Sequence, residues 1–321
     1  LIVDLLPTAE QDEIVASVRA VLEDRHEVGA ALDESLWAAA VEQGWFAIGL
    51  AEDLGGVGYS LVEEALVFEQ IGRVAAPGPF LATSLAARVA AEGGAPELAA
   101  ELIGGSRRAA LAEPEGDGVR ITDHIGSTVA LLLDDQVALV SLDGMALDEQ
   151  SSFDVLVPLA TAATPTSRLA IADDSPALRR RATVLLAAQL AGIAGATAEQ
   201  SVSYAKDREQ FGQPIGGFQA VKHRCADMAV RADMASAQVR WAALAFERGQ
   251  ADADFHAEAA AVVAIDAAIS NASINVQNHG GIGFTWEHTA HRYVTRARMW
   301  AAVLGGLRGH QARLLAAPTP G

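Results

Sequence analysis

The chain has one cysteine, Cys225, among 321 residues, so it cannot form an internal disulfide or a cysteine-rich metal site. It is also short of positive charge: 23 Lys and Arg stand against 41 Asp and Glu, a formal net charge of -18. A surface of that sign repels a phosphate backbone, which excludes a sequence-independent grip on nucleic acid. Any anionic ligand must be met by locally clustered arginines or by helix N-termini. No apolar run approaches the roughly 18 to 20 residues of a membrane span. The opening LIVDLLPTAEQ lacks the basic flank and long apolar stretch of a secretory signal. These absences predict a soluble chain in a reducing, cytoplasmic setting. Aromatic residues are only 5%, so its core must be built mainly from aliphatic side chains and alanine.

With 51% hydrophobic and 20% charged residues, the chain can bury a sizeable core spread over two or three domains. The composition favours helix. Thr8 and Gln11 fit a capping box, followed at helical spacing by Ile14, Val18, Val21 and Leu22. Leu36, Trp37, Ala40 and Val41 form a second stripe that Gly44 stops. Ser60 and Glu63 cap a third, with Ala65, Phe68 and Ile71 on its apolar face. Gly55, Gly56 and Gly58 read as a tight loop that needs positive φ, or less simply as a phosphate cradle.

From Ala109 to Ile171 the pattern changes to short β-type runs at Val129 to Leu133, Val137 to Val140 and Val155 to Val157. These predict a small antiparallel β domain. After the polar ADDSP stretch the helical pattern returns. A helix from about Leu178 to Lys206 contains Gly192 and Gly195, which permit close helix approach. Phe218, Val221, Cys225, Met228, Ala232, Val239 and Phe246 trace one face of the next helix, and Val262, Asp266, Ile269 and Ser273 a face of the third. A last helix over Val294 to Leu315 completes a four-helix bundle. The expected fold is mostly α with a small β domain: a helical domain over 1–108, a reduced antiparallel β domain over 109–174 and a bundle over 175–321.

Four stretches of this sequence resemble the acyl-CoA dehydrogenases. GWFAIGLAEDLGGVGYSLVEEALVFEQIGR resembles their N-terminal helical domain, and LAEP (Leu111 to Pro114) resembles the start of their β domain. YAKDREQFGQPIGGFQAVKHRCADM and VQNHGGIGFTWEHTAHRY resemble their two most distinctive bundle motifs, in the right order and at the right spacing. The resemblance implies FAD as cofactor, an acyl-CoA thioester as substrate and an electron-transfer flavoprotein-type acceptor. In such enzymes a carboxylate removes the proton α to the thioester carbonyl while the β hydrogen leaves as hydride to the flavin. Arg208 is then implied to reach the flavin pyrophosphate, usually that of a neighbouring subunit, and its paired N–H donors suit phosphate oxygens. Phe211 would lie against the adenine-ribose half, with Gln210, Ile215 and Phe218 nearby. Gln277, Gly280, Gly281 and Gly283 would form a second cofactor element, with bare backbone N–H groups open to a dinucleotide. Without the resemblance, Arg208 is a solvated helix-end charge, Phe211 a core aromatic and the glycines an interhelical turn.

The chain departs from the family where the base belongs. One base position falls on Leu304, followed by Gly305, and the other on Ala182, and neither side chain can take a proton. The β region is also shorter than usual. Both departures resemble the short family members of actinobacterial steroid and lipid catabolism, which pair with a longer catalytic subunit in a heterotetramer. Two other readings remain: a self-sufficient dehydrogenase with Glu287 or Asp207 as base, and a non-catalytic scaffold of the same fold. Arg179, Arg180 and Arg181 suit CoA phosphates or are a solvated helix start; His279, His288 and His291 lack a metal-site pattern; Cys225 reads as a small core residue.

Overall fold

Thr8 and Gln11 cap each other's backbone and start α1 (Ala9–Arg25), and Ser60 and Glu63 do the same for α3 (Leu61–Arg73). The computed structural model describes residues 5–320, so the first four residues of LIVDLLPTAEQ and residue 321 lie outside it. With α2 (Glu34–Glu42), α4 (Phe80–Glu92) and α5 (Pro96–Ile103) these helices form the N-terminal unit. Trp37, Phe46 and Phe80 pack ring against ring at its centre. Gly55 and Gly58 have φ of 85° and 84°, and a Cβ on Gly56 would fall on the Leu50 carbonyl, so this glycine loop serves chain geometry.

The central sheet holds seven strands: β1 (Ala109–Glu115), β2 (Gly118–Thr122), β3 (Val129–Leu132), β4 (Ala138–Ser141), β5 (Asp148–Gln150), β6 (Leu159–Ala163) and β7 (Ala170–Ile171). Their order is β5-β6-β2-β1-β3-β4-β7. The sheet is mixed where an antiparallel one was expected, because β1 and β3 pair in parallel. The cause is local: β2 ends where β1 begins, and the short loop that follows launches β3 from that same end. Val155 to Val157 is a turn. Asp154 organises it, accepting from the N–H of Leu156 through Oδ1 and from that of Val157 through its carbonyl. Val155 is left 73% exposed.

The bundle consists of α6 (Ser175–Asp207), α7 (Gln219–Glu247), α8 (Ala253–His279) and, in place of one last helix, α9 (Ala290–Trp300) and α10 (Gly306–Ala316). The break falls at Leu304, whose φ of 57° no helix accommodates, followed by Gly305 and Gly306 at 86° and 64°. The buried face of α7 includes Cys225, Met228, Ala232 and Val239, as its spacing predicted. The face of α8 does not follow prediction. Asp266 and Ser273 are exposed, and the buried stripe runs through Ala257, Ala260, Ala264, Ala268, Asn271 and Asn275. Both α6 and the segment Ala253–Phe284 are long and apolar enough by composition to cross a membrane, contrary to the sequence reading. In this fold they pack as bundle helices, and 89% of the apolar window of α6 is buried.

Two glycines set the crossing of α3 and α6. A Cβ on Gly72 would strike the Gln189 carbonyl, and one on Gly192 would strike the Glu69 carbonyl. Gly195 faces only the flexible end of Arg73. Gly192→Ala should therefore cost about 1 to 3 kcal/mol in urea unfolding through overpacking, with Gly195→Ala well below it. Equal losses for the two variants would show that the crossing tolerates a methyl group.

The three units meet at Arg296 on α9. Its Nε bonds Asp154 Oδ2 at 2.6 Å, and its Nη1 donates to the carbonyls of Ala75 and Ala76, each at 2.6 Å. One buried guanidinium thus ties bundle, sheet and N-terminal unit together.

Candidate functional site

α6 and α8 run parallel, so their ends define two separate places on the molecule. Their first turns, with Arg179 and Thr183 on one and Asp254 and Glu258 on the other, line a common cavity. At their last turns the rings of Tyr204 and His279 stack at 4.2 Å. Ala182 and Arg208 lie near opposite ends of α6 and its C-cap, roughly 40 Å apart at about 1.5 Å per residue.

At the far end, α6 stops at Arg208 and the chain makes a hairpin of β8 (Glu209–Gln210) and β9 (Gln213–Pro214). Its two turn residues, Phe211 and Gly212, have φ of 54° and 81°, the left-handed pair that a two-residue hairpin needs. The turn directs the Phe211 ring outwards, 93% exposed, with the Phe218 ring edge-on to it at 6.1 Å. Phe211 is therefore not the core aromatic of the alternative reading. The Ile215 N–H closes the loop onto the Arg208 carbonyl at 2.8 Å. Arg208 itself is exposed and has no side-chain partner among the described residues. Gln210 is exposed and donates to the Glu209 carbonyl.

The second element follows α8. Gln277 is exposed on the last turn, Gly280 ends the helix at φ 63°, and nothing lies within 4 Å of where a Cβ on Gly281 would be. Gly283 differs, because a Cβ there would sit 2.8 Å from the Val276 carbonyl, so packing alone requires it to be glycine. The two elements are held side by side. Ser201 donates to Asn275 Oδ1 at 2.8 Å, Asn275 donates to Gln200 at 2.9 Å, and His279 Nδ1 donates to the Asn275 carbonyl at 2.8 Å. The His288 ring lies 4.3 Å from His279, and burial lowers the pKa of both. His291 packs against Trp286 instead.

At the near end, the cavity of about 430 Å³ is lined by Leu304, one of the two base positions; the other, Ala182, is fully buried and does not line it, although its neighbour Thr183 does. Each of its carboxylates is engaged. Glu113 accepts from the Leu304 N–H at 2.8 Å and pairs with Arg120 at 3.0 Å. Glu258 meets His310 at 2.7 Å and Arg313 at 2.8 Å, and Asp254 meets Arg180 at 2.6 Å. The three arginines separate: Arg181 is buried in an ion pair with Glu64, Arg180 pairs with Asp254, and Arg179 faces the cavity with no hydrogen bond or ion pair among the described residues. Burial lowers its pKa. Glu287 and Asp207 are absent from the cavity lining; Asp207 ends α6 at the far end, and Glu287 lies within the second motif there. The sequence reading gave no role to Glu113, Glu258, His310, Arg313 or Thr183, although LAEP contained the first of them.

The acyl-CoA dehydrogenase N-terminal domain matches residues 8–106, and the acyl-CoA dehydrogenase C-terminal domain matches residues 180–317. The acyl-CoA dehydrogenase IpdE2 of Mycolicibacterium smegmatis is 32% identical over 318 residues, covering 95% of this chain and 98% of that protein. The chain belongs to the acyl-CoA dehydrogenase family. Acyl-CoA dehydrogenase FadE34 of Mycobacterium tuberculosis is 35% identical over 292 residues, and the match covers 84% of this chain but 40% of FadE34. Among solved structures, a variant of the Tcur3481-Tcur3483 steroid ACAD superposes with a TM-score of 0.82 at 26% identity, covering 96% of this chain and 97% of that one. The ChsE4-ChsE5 complex from Mycobacterium tuberculosis shares the fold, with a TM-score of 0.83 at 24% identity over 99% of this chain and 100% of that one. Membership implies FAD as the cofactor. The far-end residues fit one side of a dinucleotide: an unpaired guanidinium, a bare aromatic face and an open glycine backbone.

Proposed function

We propose that this chain is a base-less subunit of an FAD-dependent acyl-CoA dehydrogenase, which completes the flavin site of a longer catalytic partner. The separation of roughly 40 Å along α6 carries the reading. Arg208, Phe211 and the Gly280–Gly281 backbone lie too far from this chain's own cavity to serve a flavin there, so they serve one held by another chain. Arg208 binds the pyrophosphate, Phe211 covers the adenine-ribose half, and Gln277 adds amide donors. When bound, the flavin accepts the hydride removed from the acyl chain. The proton acceptor belongs to the partner, since Leu304 and Ala182 offer none and the carboxylates around this cavity are tied to cations or backbone. The pairing of two named chains in the ChsE4-ChsE5 complex supports such an assembly.

Expressed alone, the chain should hold little flavin. Co-purified with its partner it should give a yellow, active complex with one FAD for every two chains. Arg208→Gln in that complex should weaken FAD binding about 10- to 100-fold, the worth of a charge-assisted contact. A fully flavinated assembly of this chain alone that oxidises an acyl-CoA would overturn the reading.

A further inference from the structure

Thr183 is 4% exposed, lines the cavity, and its hydroxyl makes no hydrogen bond among the described residues. The hydroxyl keeps access to the cavity instead of being sealed in the core, so its donor is open to a ligand there. Thr197 on the same helix instead turns its hydroxyl to the backbone, donating to the carbonyls of Ile193 at 2.8 Å and Ala194 at 3.1 Å. One turn before Thr183 stands Arg179, which the i, i+4 spacing places on the same helix face. Arg179 also lines the cavity, without a hydrogen bond or an ion pair among the described residues. Asp134, Asp135 and Glu113 act on it only through space. The other charges of the wall are matched, Arg180 with Asp254, Arg313 with Glu258, and Glu113 with Arg120. One cation and one cavity-facing hydroxyl are therefore left over on one face of α6.

A carboxylate satisfies both, taking N–H donors from the guanidinium and the O–H of the threonine. A phosphate dianion fits less well, because Glu113, Asp254 and Glu258 line the same space and only one uncompensated positive charge opposes them. Pro114, Leu133, Ala257 and Leu304 supply an apolar wall, and a volume of about 430 Å³ suits a small organic molecule. We propose that this cavity binds a monocarboxylate with a small apolar body, anchored by Arg179 and Thr183. The site lies at the opposite end of the bundle from the flavin-contacting residues and needs none of them.

The test uses the protein as purified, with or without its partner, and titrates hexanoate, hexan-1-ol and inorganic phosphate by calorimetry and thermal shift. Hexanoate should bind saturably, one per chain, and raise Tm, while hexan-1-ol and phosphate should do neither. Arg179→Gln should weaken hexanoate about tenfold or more. Thr183→Val should weaken it several-fold while leaving the ligand-free Tm little changed, since the hydroxyl it removes faces the cavity and has no hydrogen bond among the described residues. No saturable hexanoate binding, binding that Arg179→Gln leaves unchanged, or displacement of hexanoate by phosphate would each overturn the proposal. Flavin content in the complex should not move in either variant, so a failure here leaves the flavin reading standing.

Discussion

Arg296→Met should destabilise the protein by about 3 to 5 kcal/mol, read as a fall in the urea midpoint at constant slope. The substitution fills most of the same volume, so the loss is electrostatic. It strands the Asp154 carboxylate in a site where that residue is 4% exposed, and it removes the donor from the carbonyls of Ala75 and Ala76. Asp154 also organises the turn of Val155 to Val157, so its detachment should loosen that segment first. A double variant, Arg296→Met with Asp154→Asn, should lose less than the sum of the single losses, because the second change neutralises the charge that the first leaves unpaired. A loss below about 1 kcal/mol for Arg296→Met would place the cohesion of the three units elsewhere, in apolar contact alone.

No sequence pattern announces that joint. Arg296 reads as one more cation on an amphipathic helix, and its partners lie far away in the chain, on a turn and on a loop. What sequence does express is local. The capping pairs Thr8 with Gln11 and Ser60 with Glu63 are visible because each satisfies its own helix end. The Gly280–Gly281 backbone is legible because bare peptide demands glycine, whereas the Phe211–Gly212 turn is not, since phenylalanine rarely takes a φ of 54°. The apolar face of α8 is hard to see in sequence because alanine fills it, and alanine marks a buried face far less clearly than leucine or valine. The parallel pairing of β1 with β3 is a matter of where a loop exits. The kink at Leu304 was hidden for a related reason, since Leu304 favours helix in isolation and is held at φ 57° by Glu113 from the sheet and Arg313 from α10. The same gap explains Arg179 and Thr183: their spacing was legible, and their lack of partners was not.

Asp123→Asn should stabilise the protein at pH 8 and do so much less at pH 4. Asp123 sits beside the Arg296 joint, 5% exposed, and shares the lining of a small cavity with Leu81, Leu111 and Trp300. Burial pushes its pKa from the ordinary 3.8 up to about 7; Arg296 opposes the shift and the like charge of Asp154 adds to it. The folded protein therefore holds a proton that the unfolded chain releases near pH 4. Stability from this group is complete below pH 4, declines as pH rises from about 4 to about 7, and is lost above 7, where the deficit reaches at most about 4 kcal/mol. Asparagine removes the titration without disturbing the backbone, since it accepts the left-handed conformation that Asp123 adopts at φ 59°. Its N–H can still donate to the Pro158 carbonyl at 2.9 Å. The advantage of Asp123→Asn over the parent chain, measured by urea unfolding at several pH values, should grow from pH 4 to pH 7 and then level off. A difference that stays flat with pH would mean that the carboxyl is ionised in the folded state throughout. Combined with Arg296→Met, which removes the cation that holds the pKa down, the plateau should move to higher pH, coupling the two residues as one joint.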